Sequence, residues 1–217
     1  VSERDAKQFT EDYKLDDVFC IPTGVDLEFF TYSTPSRFDD IVFCGSMDWM
    51  ANQDAIEYFL DEIWPKIMQK RPQSRFTIVG RNPPRSLRDR ASKFDERVVF
   101  TGYVDDVRRF IRGAAASVIP MRVGGGTRLK VYEAMAIGTP LVSTTIGVEG
   151  LPVVDGIHYL NADSPDAFAD ATVRLLDERD IALKIAEQAR ATVEEQFSFR
   201  KAAESFTQGC KQALLGD

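Results

Sequence analysis

The chain has 217 residues, 44% of them hydrophobic, and carries 27 Lys plus Arg against 34 Asp plus Glu for a net charge of −7. That suffices for one sizeable domain, or a domain with an appendage, while the acidic balance argues against non-specific nucleic-acid binding, which needs a basic face. No apolar run approaches membrane-spanning length, no signal peptide is recognisable, and Cys20, Cys44 and Cys210 lack metal-ligand spacing and read as reduced, cytosolic thiols.

Residues 3–13 read as a polar helix, followed by a short strand over 18–21 and a turn, then a linker over 35–40. From Ile41 a regular alternation begins. Residues 41–44 form an apolar strand ending in Gly45-Ser46-Met47. A helix is expected over 52–70, because Ala55, Ile56, Phe59, Leu60, Ile63, Trp64 and Ile67 recur at helical spacing, with a kink at Pro65. Strands follow at 75–79, 98–101, 117–119 and 141–143, and short helices at 85–94 and 105–112. Alternating strands and helices predict a parallel sheet with helices on both faces. Such sheets bind ligands beyond the carboxyl ends of their strands, where Gly45, Gly80, Gly102 and Gly124 fall. A short strand at 159–160 and three helices over 166–176, 181–195 and 200–215 close the chain, the last with Ala202, Phe206, Cys210 and Ala213 on one stripe. His158, the only histidine, lies in a strand-like run and reads as structural. With no placed Ser or Cys nucleophile, hydrolysis by a catalytic triad is not indicated.

The stretch from Pro120 to Pro140 organises the rest. It reads as a strand end, a glycine loop (Gly124, Gly125, Gly126), a helix capped by Thr127, and a stop at Gly138 and Pro140. A helix N-terminus carries partial positive charge and favours acidic residues, yet the first turn here holds Arg128 and Lys130. Cations beside free backbone N–H groups and a glycine loop make a phosphate site, to which Arg122 adds a third charge. Glu133, three residues after Lys130, shares its face and leans back toward the N-terminus, where a carboxylate accepts hydrogen bonds from a ribose diol. An ordinary capped helix with an exposed Lys–Glu pair is the alternative reading of this stretch. No Gly-Lys-Ser/Thr occurs, so it is not a Walker loop. No Asp-x-Asp occurs either, so no metal bridging a diphosphate is indicated, and no cofactor is expected.

IPTGVDLEFF, FCGSMDWMANQDAIEYF, FTGYVDDV and PMRVGGGTRLKVYEAMAIGTPLVSTTIGVEGL, in this order, resemble the group-1 (retaining, GT-B fold) glycosyltransferases, and among them bacterial sugar transferases of exopolysaccharide-type pathways. The resemblance runs from about Ser2 to the end. It implies an α/β fold: a Rossmann-like parallel sheet with helices on both faces, one half of a GT-B fold, with the C-terminal helices packed alongside. It implies three parts: the tail of an acceptor domain plus linker (1–37), a donor domain binding the nucleotide sugar (38–197) and a C-terminal crossover helix (198–217). The implied partners are a nucleotide-diphosphate sugar donor and a glycan or lipid-linked acceptor, the latter held by an N-terminal domain outside this chain. The implied location is cytoplasmic, with peripheral contact at the inner face of the membrane through that domain. The start at Val1 without Met fits a fragment, which is expected to be inactive alone.

The family signature is Glu, seven residues, Glu. Glu133 matches the second, which holds the donor ribose; the first falls on Gly125. The Arg and Lys that many members carry after the first strand, gripping the diphosphate, fall on Ser46 and about Ala51. Arg128 and Lys130 are therefore expected to stabilise the leaving diphosphate. The expected donor-binding set is Gly45, Ser46, Arg81, Tyr103, Val104, Arg122, Gly125, Gly126, Thr127, Arg128, Lys130 and Glu133, with the Tyr103–Val104 backbone at the base. The rival readings are a nucleotide-sugar epimerase of the same fold, which needs a carboxylate that Gly125 removes, and a non-catalytic nucleotide-sugar-binding module. A dinucleotide oxidoreductase lacks its Gly-x-Gly-x-x-Gly.

Overall fold

A computed structural model describes residues 3–15, 18–21, 23–34, 39–124 and 128–215. Its centre is a six-stranded sheet formed by β1 (Asp40–Cys44), β2 (Arg75–Val79), β3 (Val98–Gly102), β4 (Ala116–Ile119), β5 (Leu141–Ser143) and β6 (Leu160–Asn161). The order is β3-β2-β1-β4-β5-β6 and every pairing is parallel. The apolar runs predicted this: Ile41, Val42 and Phe43 are buried on both faces, as a covered parallel sheet requires. The strand order reverses between β1 and β4, the switch point where such sheets open a crevice.

The long helix predicted over 52–70 is real but not uniform. It runs as α2 (Met50–Tyr58), a π turn (Phe59–Ile63) and α3 (Trp64–Lys70). Pro65 has no N–H to donate and its ring crowds the carbonyl four residues back. The chain answers with a wider turn, in which the Trp64 N–H donates to the Phe59 carbonyl, five residues back. The helix continues instead of breaking, and Phe59 and Trp64 both reach the core. There Phe59 packs 4.4 Å from Phe76 and 6.1 Å from Phe168 between ring centroids.

α4 (Arg85–Ala91) and two 3₁₀ turns over 92–97, broken at Phe94 and Asp95, lead to β3, and α5 (Arg108–Gly113) leads to β4. α6 (Leu129–Ile137) packs on α5 and on α8 (Arg179–Gln196), while α7 (Pro165–Asp177) packs on α3 and the π turn. Gly138 ends α6 at φ +88°, left-handed backbone that suits glycine, and Tyr32 packs so close that a Cβ there would lie 2.4 Å from its ring.

α1 (Glu3–Tyr13) forms as expected. The strand expected over 18–21 does not: the described residues there are irregular, and the pairing comes later, where Val25 bridges Ser198. An apolar run alone cannot make a strand without a neighbouring segment to pair with, and among the described residues the chain finds one at Val25, whose N–H donates to the Phe197 carbonyl (2.7 Å) and whose carbonyl accepts from the Phe199 N–H (3.1 Å). The segment after Val25 is strapped to the domain by guanidinium groups. Arg108 donates to the Phe29 carbonyl (3.0 Å), Arg190 to the Phe30 carbonyl (2.9 Å) and Arg112 to the Thr31 carbonyl (3.4 Å). The apolar stripe of α9 (Phe199–Leu215) is open: Phe206 is 57% exposed and Cys210 is exposed. All three cysteines are free thiols. His158 is structural: Nδ1 accepts from the Val154 N–H (3.0 Å), which places its proton on Nε2, 3.1 Å from the Thr192 hydroxyl.

Candidate active site

The carboxyl ends of β1, β2 and β3 and the start of α6 enclose a cleft of about 300 Å³. Its β1 wall is Cys44, Gly45 and Ser46; its β2 wall is Val79, Gly80 and Arg81. Gly102, Tyr103, Val104 and Val107 close the far side, and Leu129, Lys130 and Glu133 project from α6. Gly80 permits this wall: a Cβ there would lie 1.9 Å from the Gly45 carbonyl oxygen, so the two strand ends can approach only without a side chain.

α6 begins one residue later than the expected Thr127 cap. Its N-cap position falls on Arg128, whose carbonyl accepts from the Val131 N–H at 2.9 Å, and Lys130 is in the first turn. Gly125, Gly126 and Thr127 lie outside the described residues. Lys130 and Glu133 do share the face that meets the cleft, as their spacing predicted. The Lys130 ammonium donates to Asn52 Oδ1 at 2.7 Å and sits 4.2 Å from the centre of the Phe43 ring. Burial brings its pKa down to about 8, with the Arg128 guanidinium acting in the same sense and Cys44 and Glu133 opposing. Burial pushes the Glu133 carboxyl up, and Lys130 holds it back. Burial, helped by Glu133, pushes the Cys44 thiol up to about 12, so it is neutral at physiological pH. Arg128 is 9% exposed; burial lowers its pKa and the Glu149 carboxylate offsets part of that. Among the described residues no carboxylate forms an ion pair with Lys130 within 4 Å. The floor of the cleft is thus a buried cation facing space, with a carboxylate one turn further along the helix.

At the mouth, Arg81 is tied to Asp48 (Nε to Oδ2, 2.6 Å), and Asp48 also accepts from Asn82 (2.8 Å) and from the Ser46 hydroxyl (2.9 Å). These bonds, the one from Asn82 first, hold the Asp48 carboxyl below its usual range. Tyr103 is 73% exposed on the opposite lip.

Arg122 does not join the cleft. Its guanidinium is held by Asp54 through two bonds (3.1 and 2.5 Å) and stacks 4.6 Å from the centre of the Tyr58 ring. Both partners come from α2, far away in sequence, which is why the loop alone suggested a third phosphate contact. The structure therefore gathers Gly45, Ser46, Arg81, Tyr103, Val104, Lys130 and Glu133 around one cleft. Arg128 is buried beside it. Asn52 went unremarked in the sequence, where a carboxamide in the first turn of a helix looks like an ordinary terminal residue. Among the described residues no group of three or more His, Cys, Asp or Glu side chains is placed to hold a metal ion.

The family model described as "Glycosyl transferases group 1" matches residues 39–178. Phosphatidyl-myo-inositol mannosyltransferase of Mycobacterium tuberculosis is 29% identical over 170 residues, which cover 72% of this chain and 44% of that protein. The chain thus spans less than half the length of this curated relative. Among solved structures, Anabaena HepE in complex with UDP and glucose superposes with a TM-score of 0.79 at 14% identity, over 97% of this chain and 61% of that one. The C-terminal domain of the group 1 glycosyl transferase LpcC from Francisella tularensis superposes with a TM-score of 0.64 at 20% identity, over 81% of this chain and 100% of that one. At these identities the structural likenesses speak to fold alone. Taken with the sheet order and the cleft at its switch point, the family match means that this chain belongs to the group 1 glycosyltransferases, as the Rossmann-like half of a GT-B fold.

Proposed function

We propose that this chain is the donor half of a retaining, metal-independent glycosyltransferase that moves a hexosyl-type sugar from a nucleotide-diphosphate sugar to a glycan or lipid-linked acceptor. The observation that carries the reading is the Lys130–Glu133 pair. A buried ammonium with no carboxylate within 4 Å among the described residues faces a cleft at the switch point, and a carboxylate sits one turn away for a ribose. The UDP held by HepE, a protein of the same fold, is in keeping with it.

In this reading the anomeric C–O bond breaks and its electrons pass to the leaving diphosphate. Preorganised positive charge lowers that barrier most where water is excluded. Lys130 and Arg128 supply the charge in place of a metal ion, aided by the Gly45–Ser46 backbone and by the Gly126 and Thr127 N–H groups. Glu133 accepts from the ribose hydroxyls, and the Tyr103–Val104 backbone, with Arg81 beside it, borders the base. The division into 1–37, 38–197 and 198–217 belongs to the same proposal. So does an acceptor site on a second domain outside this chain, through which the protein meets the inner face of the cytoplasmic membrane. Among the described residues no helix is long and apolar enough to cross a membrane.

Thermal unfolding of this chain against UDP, GDP, ADP, CMP and NAD tests the reading. Ligand at a hundred times its dissociation constant adds about 2.7 kcal/mol, which is about 5–10 °C for a domain of this size. A rise with one nucleoside diphosphate is expected and names the base. A rise with NAD alone, or with none of the five, defeats the donor-domain reading.

A further inference from the structure

Asn52 is 8% exposed in the first turn of α2, and the nucleotide reading gives it no role. Its carboxamide makes two bonds of opposite polarity. Oδ1 accepts from the Lys130 ammonium at 2.7 Å, and Nδ2 donates to the Ser46 carbonyl at 2.7 Å. Turning the amide over would set N–H groups against an ammonium and oxygen against oxygen, so the two partners fix its orientation. The pair lies directly on Gly45, where a Cβ would be 2.8 Å from Asn52 Nδ2 and 2.9 Å from Lys130 Nζ.

We propose that Asn52 is the positioning residue of the diphosphate site, holding the Lys130 ammonium at the cleft floor and fixing the loop after β1 against α6 through the Ser46 carbonyl. This rests on the reading of the cleft as a nucleotide-diphosphate site. The groups facing Lys130 show what the amide contributes. β1 offers the Phe43 ring face and the neutral Cys44 thiol; Glu133 attracts from the same helix and Arg128 repels from its start. Among the described residues Asn52 Oδ1 is the hydrogen-bond acceptor of the ammonium. A carboxylate in its place would accept as well, but it would neutralise the charge that a diphosphate needs. The amide stabilises the cation while leaving its charge uncompensated.

Calorimetric binding of UDP, GDP and ADP between pH 6 and 9.5, on wild type, Asn52→Ala and Asn52→Asp, tests the proposal. Wild-type binding should fade above about pH 8, where Lys130 loses its proton. A lost hydrogen bond to a charged group is worth about tenfold or more. In Asn52→Ala the fade should therefore begin about one pH unit lower, with binding at pH 8 about fivefold weaker and approaching tenfold at higher pH. Asn52→Asp should move the fade upward by about one unit while weakening binding at pH 7 about tenfold, through competition for the ammonium. Asn52→Asp keeps the volume of the side chain and carries the test should the alanine variant not fold. Equal weakening at every pH, with the fade unmoved, is the result of a merely structural residue and overturns the proposal. Should wild type bind none of the three, the nucleotide reading fails instead. Thermal melting without ligand between pH 7 and 11 then decides, and a Lys130 titration unmoved by either variant overturns the role of Asn52.

Discussion

Replacing Lys130 with Met should make this chain more stable and a worse binder. The ammonium is held at a pKa of about 8 against 10.5 for a free lysine. At about 1.4 kcal/mol per pH unit that is a cost of about 3 kcal/mol for keeping the charge buried. Met matches the length of the stem and removes the charge. It also forfeits the 2.7 Å bond to Asn52 and leaves that oxygen without its donor, which returns about 1–2 kcal/mol. The balance is a gain of about 1–2 kcal/mol at pH 7, seen as a rise in Tm of about 2–8 °C, with nucleoside diphosphate binding weaker by about tenfold or more. The pH dependence identifies the cause. Below about pH 8 folded and unfolded wild type both carry the proton, so the cost stands in full. Between about 8 and 10.5 the unfolded chain holds a proton that the folded chain has released, and stability rises with pH. The advantage of Lys130→Met should therefore shrink through that window and turn into a deficit of about 1–2 kcal/mol above it, where only the lost Asn52 bond remains. Melting both proteins at pH 7, 9 and 10.5 measures this, since the other lysines and tyrosines titrate alike in each. A variant less stable than wild type at pH 7, with a gap that does not change up to pH 10.5, would refute the buried-charge argument.

Gly80→Ala should cost about 1–3 kcal/mol by overpacking and abolish nucleotide-induced stabilisation in a melting assay, because the new Cβ meets the Gly45 carbonyl at 1.9 Å. Arg190→Ala should lower Tm by about 4–8 °C, since the guanidinium donates to the Phe30 and Ala136 carbonyls and pairs with Glu194. Burial holds the His158 pKa below the ordinary 6.5, so its contribution is complete above that value and is lost as pH falls toward the folded pKa. Denaturant titrations at pH 5 and 7 should show a smaller pH-induced loss in His158→Gln than in wild type.

The sheet was legible because a parallel strand buried on both faces leaves a continuous apolar run, as Ile41, Val42 and Phe43 do. The Lys130–Glu133 pair was legible because helical spacing alone puts two such residues on one face. What stayed hidden depends on contacts between elements distant in sequence. Arg122 looked like a phosphate ligand until Asp54 and Tyr58 stood beside it. Asn52 acquired a role only when β1, α2 and α6 met at Gly45. The π turn follows from Pro65, but a kink and a widened turn satisfy the missing N–H equally well from sequence. The aromatic cluster around Phe59 selects the turn that keeps both rings inside.

Where the positive charge sits also sets how binding should respond to salt. The loop after β1 and the start of α2 present Trp49 at 71% exposure and Met50 at 82%. The charge lies deeper, on Lys130 and on Arg128 at 9% exposure. Exposed cations are screened within a Debye length of about 8 Å at physiological ionic strength, while buried ones are screened much less. Nucleoside diphosphate affinity should accordingly fall less than about threefold between 50 mM and 0.5 M NaCl, provided chloride does not compete for the floor of the cleft. Repeating the titration in sodium glutamate, which contains no chloride, separates screening from chloride competition. A loss above about tenfold in both salts would place the working cations at the surface, and the assignment of Lys130 as the diphosphate contact would fall with it.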